Sequence, residues 1–339
     1  MNNPIKNITP LGFQWQTADP FLFCVHHEDF YPEGNDQMGI NPENLQGRYL
    51  GNDFQLKDGF RMYHGNPVPG FPQHPHRGFE TITIVRDGFV DHSDSHGGLG
   101  RYGNGDVQWM TAGKGLNHAE MFPLVHSDKP NRTELFQIWL NLPKKNKFVK
   151  PDYKMLWAED IPKIEVRNEA GKKAIVELIA GSFDNKKAVA PPENSWAADS
   201  NNQLSILNIL MESGSEISIP RVNLEEFNRN LYFYRGESIT INNEKINNNC
   251  RVELNSNDDI VIKNGEKPTS ILLLQSKPIN EPVAQQGPFV MNTVGEIKEA
   301  ILEYQQTEFG GWPFDRSDYV HAKEKGRFAK YSDGSSEEK

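Results

Sequence analysis

His74-Pro75-His76-Arg77-Gly78-Phe79-Glu80 and, further on, Asn117-His118-Ala119-Glu120 are the runs whose reading decides the fold. The first leads into Thr81-Ile82-Thr83-Ile84-Val85, apolar and β-branched residues that suit a pleated strand. Pro75 disfavours helix at the residue before it and donates nothing to a ladder, so the approach to that strand is extended as well. On an extended segment, positions i and i+2 share a face, which aims His74 and His76 the same way. His118 and Glu120 repeat that spacing. Two facing strands would then bring three imidazoles and one carboxylate to a point. Such a donor set suits iron(II), manganese, nickel, copper or zinc and leaves one or two positions for a small molecule.

The competing reading of a single histidine on a strand is a satisfied core or surface side chain, and ten histidines leave room for chance pairs. Context favours the metal: both pairs abut β-rich runs, and Gly78, Gly113 and Gly115 would let the backbone turn tightly beside them.

Outward from this stretch, 339 residues exceed what one hydrophobic core usually organises, so two domains are expected. A formal charge of −10, with no block of Lys and Arg, argues against direct nucleic-acid binding. Cys24 and Cys250 stand far apart, which indicates neither a disulfide framework nor a zinc ribbon. The start of the chain carries no charged region followed by an apolar core, and no run approaches the ~18 apolar residues of a membrane span. A cytoplasmic protein with two reduced thiols is the expectation.

Phe21-Leu22-Phe23-Cys24-Val25 reads as a strand, followed by His26 and His27, which as neighbours point to opposite faces and are expected at a loop or strand end. Turn residues crowd the segment from Tyr31 to Gly70, implying short strands and a β-rich barrel or sandwich. Asp87-Gly88 is read as a hairpin turn, and His92 and His96, surrounded by glycines, as loop residues. Leu135 to Leu142 forms a strand ended by Pro143, with Gln137 and Trp139 on one side of it.

The second half repeats the strand rhythm from Ala174 to Leu274. Arg235-Gly236-Glu237 holds a place like that of Arg86-Asp87-Gly88, which suggests a diverged duplication. It contains no His-x-His or His-x-Glu, so no metal is expected there. Thr293 with Glu296 makes a capping box, and Ile297, Ala300, Ile301 and Tyr304 give the following helix an apolar face. The polar end, Ser332 to Lys339, is expected to be disordered.

Taken together, His74 to Thr81, Gly105 to Gly113, Asn117 to Glu120 and Gly287-Pro288-Phe289-Val290-Met291-Asn292-Thr293 resemble the signature runs of the pirin family in the cupin superfamily. The resemblance extends from about Phe21 to Phe309. It implies an all-β bicupin: an N-terminal metal-binding barrel at 1–145, a metal-free C-terminal barrel with a short helix at 146–310, and a flexible tail at 311–339. It also implies one divalent transition metal held by His74, His76, His118 and Glu120. Iron(II) is the expected ion, with Mn, Ni, Cu, Co or Zn as alternatives.

Some bacterial members resemble quercetin 2,3-dioxygenases, which open a flavonol ring with O₂ and release carbon monoxide. On that reading Glu120 is the catalytic base, and the partners are a flavonol-like aromatic substrate and O₂. The alternative is a non-catalytic iron protein acting as a redox-sensitive regulator of a partner protein or of transcription. Arg77 and Glu80 are placed to orient the ligands or, equally, to make a packing ion pair.

Overall fold

Residues 3–224 and 226–339 are described by the computed structural model of the protein. The chain divides into two compact units, one made of Met1–Val25 with Glu159–Asn280 and the other of His26–Ala158 with Glu281–Lys339. Both are antiparallel β structures, the two-barrel fold expected of a bicupin.

The segments differ from the expected division at 145 and 310, and pairing explains why. Ile5–Pro10 pairs with Cys250–Leu254 and so joins the later unit. Asp152–Leu156 pairs with Val107–Thr111, which carries the earlier unit past residue 145. The helix Val294–Thr307 also packs in the earlier unit, where Glu303 accepts from Arg77 at 2.8 Å. Its capping box forms as the sequence predicts, and Ile297 and Ala300 are buried on its inner face.

The unit of Glu159–Asn280 has a seven-stranded and a four-stranded sheet closed over an apolar core, including Val176, Leu207, Ile209, Phe233, Ile262 and Leu273. Aliphatic side chains fill the space between its sheets.

The other unit also pairs two sheets. One contains, in order, Asp152–Leu156, Val107–Thr111, Phe79–Asp87 and Asn131–Asn141; the other runs Ser336–Glu338, Phe328–Lys330, Leu99–Gly103, Phe89–Asp94, Leu116–Met121, Gly70–His76. Gly88 is therefore a corner between sheets and not a hairpin turn, because the strands on either side of it belong to different sheets. Its φ of +78° and the Arg132 carbonyl oxygen 2.8 Å from where a Cβ would sit leave no room for a side chain. Gly236, at φ +132°, makes the corresponding corner in the other unit, in keeping with the duplicated rhythm of the sequence.

The C-terminal segment is not a loose tail. Phe328–Lys330 adds to Leu99–Gly103, and Ser336–Glu338 adds to Phe328–Lys330. Tyr153 donates its hydroxyl toward the carbonyls of Leu99 and Lys330 at 2.8 and 2.7 Å, and Trp157 donates to Glu337 at 2.6 Å. These partners lie far away in sequence, so a polar composition alone misjudges the segment.

Lys147 is 1% exposed and donates to the carbonyls of Gly78 (2.8 Å) and Val290 (3.1 Å) and to Asn141 Oδ1 (2.8 Å). Burial pushes its ammonium down from 10.5 to about 8. Unfolding releases it to its ordinary value, so between these two pH values the unfolded chain binds the extra proton and stability rises with pH. A Lys147→Met variant should lack this rise, which amounts to about 3 kcal/mol across the window. Urea denaturation of both proteins at about pH 7 and about pH 10 checks it; parallel behaviour would refute the assignment.

Candidate metal centre

Register builds the centre. Gly70–His76 pairs with Leu116–Met121 so that His74 stands opposite His118. Leu116–Met121 also pairs with Phe89–Asp94, which sets His92 opposite Glu120 and Asp94 opposite His118. The i, i+2 rule then puts His74 and His76 on one face with His118 and Glu120. His74, His76 and His118 form a group able to hold a metal ion, with ligand atoms all within 4.8 Å of one another. Glu120 stands beside them, its Oε2 3.8 Å from His118 Nε2.

The state of these groups suits metal binding. His74 donates from Nδ1 to the Pro72 carbonyl at 2.8 Å, which leaves Nε2 with its lone pair, as a backbone-oriented metal ligand requires. His118 is fully buried, and neither ring nitrogen has a hydrogen-bond partner among the described residues. An imidazole left so in a protein interior costs stability unless something outside the chain engages it. Burial holds all three imidazoles in their neutral form, pushing His74 down to about 4 and His76 and His118 well below the usual range. Burial raises Glu120, opposed by hydrogen bonds from Thr83, Gln137 and Tyr102. The residues fit a divalent transition metal.

The facing sheet supplies the rest. Thr83 and Gln137 both reach Glu120, and Trp139 lies edge-on to His76 with ring centroids 5.4 Å apart. Gln137 and Trp139 are half-buried, as is His74, so solvent reaches the centre from their side. Alternation along the strand puts both on one side, and that side faces Glu120 and His76.

Other candidates resolve differently. His92 is not a loop residue: it lies in Phe89–Asp94, fully buried, with its ring 5.6 Å from that of His118 and Nε2 donating to Asp94 Oδ2 at 3.0 Å. The glycines after Ser95 disguised this, although His92-Ser93-Asp94 carries the same i, i+2 signal as the two ligand pairs. His96 does sit in a turn. His26 and His27 lie inside Phe21–Tyr31, not at its end; His26 pairs with Glu134 at 3.0 Å and His27 with the Tyr63 hydroxyl at 2.8 Å. Arg77 packs over Phe309 and binds Glu303 and the Lys114 carbonyl, while Glu80 accepts from Thr111 at 2.7 Å. Those contacts give both a packing role.

Comparison with known proteins agrees with this architecture. Residues 6–140 match the Pirin family, and residues 206–310 match the Pirin C-terminal cupin domain. A pirin-like protein of Solanum lycopersicum is 36% identical over 75% of this chain and 80% of its own length. A Vibrio cholerae protein provisionally named a quercetin 2,3-dioxygenase is 33% identical over 71% of this chain and 80% of its own. The crystal structure of a quercetin 2,3-dioxygenase from Acinetobacter baumannii superposes with a TM-score of 0.68 at 26% identity, covering 91% of this chain and 98% of that one. With both halves matched, a two-barrel fold and a histidine cluster in the earlier barrel, the chain belongs to the pirin family.

Proposed function

We propose that the protein is a metal-dependent dioxygenase that opens the ring of quercetin or a related flavonol with O₂. Three neutral, converging imidazoles with a carboxylate beside them, bordered by the half-buried Gln137 and Trp139, support the reading most directly. The names of the Vibrio and Acinetobacter relatives support the substrate class. His74, His76 and His118 would hold the metal, with Glu120 as the fourth ligand and iron(II) as the first candidate. When bound, the metal supplies Lewis acidity toward the flavonol's enol oxygen and a site for dioxygen chemistry.

The chain's own side chains do the remainder. Glu120 takes the proton of the flavonol hydroxyl; a substrate acidified at the same centre needs only a weak base. Trp139 offers an aromatic wall next to His76, against which a planar ring packs by offset or edge contact. Phe79, whose ring centroid lies 4.3 Å from that of Trp139, keeps this wall in place. Both atoms of O₂ enter the opened product, and one ring carbon leaves as carbon monoxide.

The test is direct. Protein stripped of metal and reloaded separately with Fe(II), Mn(II), Co(II), Ni(II) and Cu(II) is incubated with quercetin in air, following flavonol absorbance and carbon monoxide. Turnover is expected with at least one metal, none without metal, and none in His74→Ala. No turnover with any of them would overturn the dioxygenase reading, leaving a redox-sensitive regulator as its successor.

A further inference from the structure

Glu120 is held from the opposite sheet. Thr83 and Gln137 stand directly across from each other on Phe79–Asp87 and Asn131–Asn141. Thr83 Oγ1 lies 2.9 Å from Glu120 Oε1 and 2.7 Å from Gln137 Oε1, and Gln137 Nε2 donates to Glu120 Oε2 at 3.3 Å. Each carboxylate oxygen thus has its own contact, Oε1 with the Thr83 hydroxyl, whose single proton goes either to it or to Gln137 Oε1, and Oε2 with the Gln137 amide; the Tyr102 hydroxyl also bonds the carboxylate. Thr83 and Glu120 are buried, whereas Gln137 is half-buried.

A glutamate side chain is long and rotamer-rich, and a carboxylate tied at both oxygens has its torsions set before any ligand arrives. Thr83 and Gln137 do not belong to the sheet that carries the imidazole group. Their reach to the centre goes through Glu120.

We infer that Thr83 and Gln137 are the positioning residues of Glu120, fixing its carboxylate beside the three imidazoles so that it engages the metal in one orientation. The inference rests on the metal-centre reading of the site and not on any substrate. The competing account is a polar contact that only fills the barrel. On that account, removal leaves metal affinity unchanged or alters it without regard to Glu120.

Cobalt(II) is a suitable probe, since its visible spectrum reports the ligand set and its dissociation constant can be measured against a chromogenic chelator. The proteins compared are wild type, Thr83→Val, Gln137→Leu, the double variant, Thr83→Ser, and each in a Glu120→Gln background. The double variant should bind cobalt about 10- to 100-fold more weakly, with an altered visible spectrum, as loss of an outer partner of a ligand does. Thr83→Ser keeps the hydroxyl and should bind as wild type does. In the Glu120→Gln background the same double substitution should shift affinity by less than about twofold, because the coupled group is already gone.

Unchanged affinity in the double variant, or an equal drop with and without Glu120, would overturn the inference while leaving the metal centre standing. A wild-type protein that takes up no cobalt would remove the centre and this inference together. Quercetin turnover enters neither outcome. Melting of the metal-free proteins controls for folding, and if the double variant does not fold the two single variants read the same coupling.

Discussion

Replacing Arg101 with methionine is expected to cost about 3–5 kcal/mol of stability, as breaking one side of a buried ion pair does. Arg101 is 1% exposed and Asp91 fully buried; the guanidinium donates to the two carboxylate oxygens at 2.7 and 2.8 Å. Other donations go to the C-terminal segment, at the carbonyls of His321 (3.1 Å), Ala322 (3.0 Å), Lys323 (3.4 Å) and Lys325 (2.8 Å). Asp91 in turn accepts the backbone N–H of His321 at 2.8 Å. Methionine fills much of the volume but takes the guanidinium away from a buried carboxylate and from the carbonyls of the C-terminal segment. Urea denaturation should show the loss, and limited proteolysis should cut early between His321 and Phe328, where the chain is held to the strand Leu99–Gly103. A loss under about 1 kcal/mol would mean that the segment is held by its β pairing alone.

His118→Leu should act with opposite signs in the absence and presence of metal. In the metal-free protein it removes two buried nitrogens that lack partners among the described residues, each kind of group costing about 1–3 kcal/mol to bury unpaired. The apo variant should therefore melt no lower than wild type, and up to about 2 kcal/mol of stabilisation is expected. With metal at about 100 times its dissociation constant, wild type gains about 2.7 kcal/mol from binding and the variant gains none. The order of the two melting curves then reverses. Thermal melts with and without chelator read this, and a variant that still gains stability from metal would take His118 out of the centre.

Much of this is legible in the sequence alone. His74-x-His76 and His118-x-Glu120 needed only the two-residue period of a strand. The capping box of Thr293 and Glu296 needed only the orphan N–H groups of a helix start. His92 and Asp94 obeyed the same period, but the glycines after them suggested a loop; strand pairing with Leu116–Met121 overrides that local preference. Thr83 and Gln137 lie 54 residues apart, and nothing local joins them. Only the register of two strands sets them opposite each other and over Glu120.

The chain ends make the same point. Ile5–Pro10 and Phe328–Lys330 are ordinary short strands by composition, and each is placed by the free edge it finds in a sheet assembled from elsewhere in the chain. Strand type, side-chain facing, caps and the metal-ligand spacing are properties of a few neighbouring residues, so the sequence by itself determined them. Which edges pair, which sheet faces which, and how Glu120 is tethered depend on closing long loops around a buried core, and the tertiary structure alone decided those.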